Sequence, residues 1–214
     1  MRILREACVE NYDQAKRAVE LGADRIELCD NMAVLGTTPS YGTIKIAREN
    51  LNVPIFPIIR PRMGNFVYTE DELQIMEQDI EMCKALGVDG VVFGILTTEN
   101  EIDKESMERL MKKCGNLKVS CHLAFDEVED SKKALDTLIE LGVIRVATKG
   151  SKERIPALEN YKAIRELIEY ANGRITIMPA VGVTKDNYME LVEKTGANEV
   201  HGTKIVGDLR EVIR

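Results

Sequence analysis

Amphipathic stretches with apolar residues at helical spacing alternate along the chain with short runs rich in β-branched residues. A glycine stands at nearly every change from one to the other. Gly22 precedes residues 24–29, Gly87 precedes 89–93, Gly115 precedes 117–122, Gly142 precedes 144–147, Gly173 precedes 175–178 and Gly196 precedes 198–201. This is the signature of a helix C-cap, where glycine takes the left-handed conformation without a Cβ penalty before the chain turns into a strand. A seventh junction has Asn50-Leu51-Asn52 ahead of residues 54–60, with asparagine expected to supply the same conformation. With an opening strand over residues 2–8, the pattern predicts eight strands. Residues 69–86, 130–141 and 156–171 read as intervening helices, and Asp130 and Thr184 sit where N-caps are expected.

Strict alternation of strand and helix implies parallel strands joined by right-handed crossovers. Eight such strands predict an α/β fold, a single-domain (β/α)8 TIM barrel spanning residues 1–214. The chain is shorter than the roughly 250 residues usual for that architecture, so lean loops and a short or distorted last helix are expected. An open doubly wound sheet is the alternative, but no G-x-G-x-x-G follows the first strand. No linker or low-complexity tract marks a domain boundary.

In a barrel, the strand face that meets the helices is apolar and the opposite parity lines the interior. Ile26 and Leu28 facing outward send Arg25, Glu27 and Cys29 inward. The same reasoning points Leu4, Glu6 and Cys8 inward, followed by Phe56, Ile58 and Arg60, then Ser120 and His122, then Glu199 and His201. Both histidines of the chain and a cluster of charges thus gather at the C-terminal ends of the strands, where barrel active sites lie. Buried charges are costly unless paired, so a salt-bridged interior with Arg25 and Arg60 neutralising Glu6 and Glu27 is one account, and a functional site the other.

Composition narrows the setting. The net charge of −7 argues against nucleic acid as a partner, since phosphate-backbone binding needs a basic surface. No uncharged stretch approaches the length of a membrane span, and the first residues lack the apolar core of a signal peptide. Five cysteines without clustered spacing do not form a secreted disulfide framework, so a cytoplasmic protein with reduced thiols is expected.

Several motifs carry a family resemblance. The runs Glu6-Ala7-Cys8-Val9, Gly22-Ala23-Asp24-Arg25-Ile26-Glu27-Leu28-Cys29 and Thr38-Pro39-Ser40-Tyr41-Gly42 resemble the CutC family, named for copper homeostasis. So do Ile59-Arg60-Pro61-Arg62, Phe66-Val67-Tyr68, Asp89-Gly90-Val91-Val92-Phe93-Gly94 and His122-Leu123-Ala124-Phe125-Asp126. The resemblance implies a (β/α)8 barrel, a cytoplasmic location, a homo-oligomer such as a dimer, and copper(I) binding at Cys8 and Cys29. The chain departs from the family pattern in three loops. Leu123 replaces the arginine of His-Arg-Ala-Phe-Asp. Arg62-Met63-Gly64-Asn65-Phe66 replaces Arg-Gly-Gly-Asp-Phe, and Pro179-Ala180-Val181-Gly182-Val183 replaces Pro-Gly-Gly-Gly-Val.

Cys8 and Cys29 end adjacent predicted strands with the same inward parity, and soft thiolates suit copper(I). Unpaired cysteines are equally at home as small buried hydrophobes. Cys83, Cys114 and the outward-facing Cys121 are read as structural. A divalent metal is a further option, held by His122, His201, Glu6 and Glu27. The alternative function is that of a barrel enzyme acting on a small anionic, possibly phosphorylated, metabolite. There Glu27 and His122 would do acid–base work, Asp126 or a glutamate would orient His122, and Arg60 and Arg62 would clamp the anion. A phosphate site at Gly182 and Gly202 has little glycine to build it, and Lys149, after the sixth strand, reads as a solvent-facing lysine rather than a Schiff-base nucleophile.

Overall fold

The computed structural model describes residues 2–210. Among these described residues, eight parallel strands alternate with seven α-helices. The strands are β1 (Leu4–Val9), β2 (Arg25–Leu28), β3 (Ile55–Pro57), β4 (Gly90–Val92), β5 (Lys118–Cys121), β6 (Arg145–Thr148), β7 (Thr176–Pro179) and β8 (Glu199–Gly202). The helices are α1 (Tyr12–Glu20), α2 (Tyr41–Asn50), α3 (Glu70–Ala85), α4 (Lys104–Cys114), α5 (Ser131–Glu140), α6 (Tyr161–Ala171) and α7 (Tyr188–Thr195). One 3₁₀ turn, Met32–Val34, follows β2 and another, Leu123–Glu127, follows β5.

The strands form two arcs, ordered β3-β2-β1-β8 and β4-β5-β6-β7. The arcs meet at a parallel bridge between Ile58 and Val92, where Ile59 N–H donates to the Val92 carbonyl at 2.8 Å. On the other side the contact lies just beyond the strand ends, in a bridge between Thr184 and Lys204. Gly202 is required at that seam, because a Cβ there would stand 2.2 Å from the Val183 carbonyl oxygen. The (β/α)8 barrel expectation therefore describes residues 2–210.

Local signals explain most of the elements. Thr69 and Glu72 form a reciprocal capping box at the start of α3, and Asp130 accepts from the Lys132 and Lys133 amides at the start of α5. At the end of α7 the chain turns through Gly196, with φ of 79° and nothing near its absent Cβ, so backbone conformation alone selects the glycine. Two expectations need correction. The turn between α2 and β3 closes through Leu51 at φ −111°, so neither asparagine supplies a left-handed residue there. Thr184 does not cap α7: Asn187 holds the position before Tyr188, and its side chain accepts from the Thr184 amide at 2.8 Å.

No helix follows β8 among the described residues. Ile205, Val206 and Leu209 of the closing segment are buried against the barrel, and residues 211–214 lie outside the described residues. No described helix is long and apolar enough to cross a membrane. Cys83, Cys114 and Cys121 are buried in the packing between strands and helices, where burial pushes each thiol up to about 12.

Candidate metal centre

Inward parity sorts the barrel interior into an ionic layer and a sulfur-rich layer above it. In the lower layer Arg25, 3 % exposed, donates to Glu6 and, at 2.5 Å, to Glu199. Arg145 also donates to Glu199, and reaches Ser120 at 2.8 Å. Both guanidiniums stand 5.5 Å from the Phe56 ring centroid. Phe56 itself has room only because Gly90 lacks a side chain: a Cβ there would lie 2.3 Å from the ring.

The register Glu6↔His201 and Cys8↔Glu27 stacks the next layer toward the strands' C-terminal ends. There the Cys8 and Cys29 sulfurs lie 3.9 Å apart, both buried. The Cys29 thiol points at Glu27 Oε1, 3.7 Å away, and His201 Nδ1 lies 2.8 Å from Glu6 and 3.4 Å from Glu27. Ligand atoms of Cys8, Glu27 and His201 all fall within 4.8 Å of one another. Sequence parity had brought these residues to one face, and the structure brings them to one point.

The charges in this layer condition each other. A hydrogen bond from Cys29 draws the Cys8 thiol down to about 6 against its burial, with His201 helping, while the same contact and burial hold Cys29 well above the ordinary thiol range. Burial and the neighbouring Cys8 charge push the Glu27 carboxyl up to about 8. Burial disfavours a charge on His201, but Glu27, Cys8 and Glu6 outweigh it and keep the imidazole protonated well above its usual value. Burial also opposes ionisation of Glu6, yet the Arg25 charge and the His201 hydrogen bond hold its carboxyl far below the usual range. The centre therefore pairs a sulfur drawn toward the thiolate with one that holds its proton more tightly. The donor set fits a soft ion at the two sulfurs, and Cys8, Glu27 and His201 lie close enough for a divalent ion such as zinc that displaces the protons of Glu27 and His201.

The other candidate residues have different situations. His122 is buried against the Phe66 ring, centroids 4.8 Å apart and planes tilted by 43°, its Nδ1 accepts from the Ala124 amide, and its Nε2 has no hydrogen-bond partner among the described residues. Asp126 does not orient it. Its carboxylate instead takes the Thr148 hydroxyl and both the amide and the ammonium of Lys149, the latter at 3.3 Å. Lys149 is accordingly buried in an ion pair and is not a solvent-facing lysine.

Most donors of both arginines are taken by the chain itself, although the buried Arg60 Nε has no partner among the described residues. Arg60 donates to the Val34, Gly36 and Gly64 carbonyls at 2.8, 2.7 and 2.9 Å, and so pairs with neither Glu27 nor Asp126. Arg62 is held by Glu72 and by the Asn65 and Val67 carbonyls. Both side chains brace loops, because carbonyls of the loops after β2 and β3 crowd around them.

The sulfur layer forms the floor of a cavity of about 340 Å³. Its walls are apolar, with Ile58, Phe66, Leu123 and Ala180 among them. Leu123 stands where the family pattern has arginine, and it packs toward Ala147, Met178 and Ala180. The rim carries Leu35 and Val181, both in left-handed backbone conformations with φ of 69° and 71°. A β-branched residue in that region is strained, and the family pattern has glycine at residue 181. Val181→Gly is expected to raise stability by about 1 kcal/mol, the relief of strain exceeding the added chain entropy of glycine. Urea denaturation checks this; a loss of stability would show that the apolar rim contact outweighs the strain. One residue of the site carried no strand-parity signal. Met32, in the loop after β2, puts its sulfur 3.7 Å from Cys8, and its only cue was a sulfur donor three positions after Cys29.

Comparison with known proteins agrees with this architecture. The model of the CutC family matches residues 3–206. The human copper homeostasis protein cutC homolog is 44 % identical over 92 % of this chain and 72 % of its own length. A CutC family protein of Enterococcus faecalis is 43 % identical over 95 % of this chain and all of its own. The crystal structure of the copper homeostasis protein CutC from Streptococcus agalactiae superposes with a TM-score of 0.92 at 46 % identity, covering 95 % of this chain and 99 % of that one. A designated aldolase, QR15, shares the fold alone, with a TM-score of 0.69 at 13 % identity over 97 % of this chain and 92 % of that one. By sequence across almost its whole length and by three-dimensional structure, the chain belongs to the CutC family.

Proposed function

We propose that this protein binds copper(I) in the cytosol through Cys8 and Cys29 at the barrel mouth, as a homodimer, and serves copper homeostasis. The observation that carries the reading is the pair of buried sulfurs 3.9 Å apart, one drawn toward the thiolate and the other retaining its proton. Copper(I) prefers sulfur over oxygen ligands, and binding would displace the proton left on Cys29. The names of the human and streptococcal relatives support the same direction. The apolar walls around the sulfurs limit water access, which favours the reduced ion.

An anaerobic copper(I) titration against a competing chelator tests the reading. Wild type is expected to take one tight equivalent, and the Cys8→Ser, Cys29→Ser double variant to lose it. Tight binding that is indifferent to both cysteines, or no tight binding at all, would overturn the proposal.

A second reading rests on the same cavity. Glu27, pushed up to about 8, suits acid–base chemistry on a small anionic metabolite, and His122, neutral with an unpartnered Nε2, suits a hydrogen bond to it. The two readings make opposite demands. Copper binding requires the cysteines and tolerates His122→Asn, whereas an enzyme of this kind requires His122 and Glu27.

A further inference from the structure

Above the two cysteines lies a third sulfur. The Cys8 thiol donates toward Met32 Sδ at 3.7 Å, and Met32 packs on the small cluster formed by Cys8, Cys29 and Ile58. We propose that Met32 is a ligand, and that the site is a three-sulfur site of two thiolates and one thioether, selective for soft monovalent ions. This rests on the reading that Cys8 and Cys29 bind copper(I), and adds to it the ligand that completes the coordination.

The distances have the right scale. A metal ion bonded in one plane to three sulfurs at about 2.3 Å, the length of a metal–thiolate bond, sets those sulfurs about 4 Å apart. The observed separations are 3.9 Å between the cysteines and 3.7 Å between Cys8 and Met32. Of the neighbouring oxygen and nitrogen donors, His201 Nδ1 lies against Glu6 and Glu27 Oε1 faces the Cys29 thiol, and both are harder than a thioether. A thioether adds no charge to two thiolates and is soft, the combination that copper(I) takes in preference to zinc.

The backbone places Met32 there independently of its side chain. Its amide donates to Glu10 Oε1 at 3.0 Å, and Asn31 and Leu35 on either side are left-handed. A bridge between Asp30 and Thr37 closes the loop, and Arg60 holds the Val34 and Gly36 carbonyls. The arginine that sequence parity assigned to an anion thus positions a sulfur donor.

Silver(I), a closed-shell stand-in for copper(I), tests this on the full chain labelled with ¹³C-methyl methionine. Met32→Leu identifies the Met32 resonance and keeps nearly the same side-chain volume. One equivalent of silver(I) is expected to shift the Met32 methyl carbon and leave the methyl signals away from the site in place. Met32→Leu is expected to weaken copper(I) binding about tenfold, with its thermal unfolding unchanged. A stationary Met32 signal while the ion is held by the cysteines, or wild-type affinity in Met32→Leu, would overturn this inference and leave the two-cysteine reading standing. If wild type binds neither ion, or the cysteine double variant binds both, the two fall together.

Discussion

Replacing Arg25 by methionine is expected to destabilise the protein by about 3–5 kcal/mol in urea denaturation at neutral pH. Arg25 is the cation shared by Glu6 and Glu199 inside the barrel, and it lies against the Phe56 ring. Methionine preserves much of the volume but leaves Glu6 with His201 alone and Glu199 with Arg145. A buried carboxylate that loses its partner suffers the full effect of desolvation. The acid limb of the stability curve should change as well. In wild type the depressed Glu6 pKa contributes stability that is present above about 4.5 and lost as the pH falls. Without Arg25, burial dominates and that contribution disappears. A loss below about 1 kcal/mol would mean that the ionic layer is no tighter than a surface pair.

His122 should give the second large effect, as a pH dependence. Burial, with the Arg60 charge nearby, pushes its imidazole from the ordinary 6.5 down to about 3. Below pH 6.5 the unfolded chain binds a proton there that the folded chain does not, so stability is present above 6.5 and is lost as the pH falls toward 3. Between pH 7 and 4.5 the loss from this one group is about 3 kcal/mol. Glu27 and His201 titrate in the opposite sense, so the measured quantity is the difference between wild type and His122→Asn. Asparagine keeps an acceptor for the Ala124 amide but has no proton to bind. The stability of His122→Asn relative to wild type should therefore rise by about 3 kcal/mol on going from pH 7 to 4.5. A relative stability that does not change with pH would show that His122 is hydrated or paired.

Helix-to-strand punctuation and strand parity made most of the barrel legible, because both are local properties of the backbone. A left-handed residue after a helix favours glycine wherever it occurs, and alternate side chains must face opposite sides of a strand. Parity alone therefore brings Glu6, Cys8, Glu27, Cys29 and His201 to one face. It could not tell where each polar group would find its partner. Arg60 and Arg62 faced a plausible ligand in the sequence, yet both end on backbone carbonyls of folded-back loops. Asp126 stood four residues from His122 and pairs instead with Thr148 and Lys149, across the barrel's packing.

The sequence by itself determined the eight-stranded alternation, the inward set of charges and sulfurs, and the family. Tertiary structure alone decided that the two cysteines meet at 3.9 Å, that Met32 joins them from a loop, and that the arginines brace rather than bind. The division has a physical basis. Secondary structure and facing follow from short-range sterics and periodicity, which are written along the chain. Contacts between loops, and the protonation of buried groups, depend on separations set only when distant segments pack together.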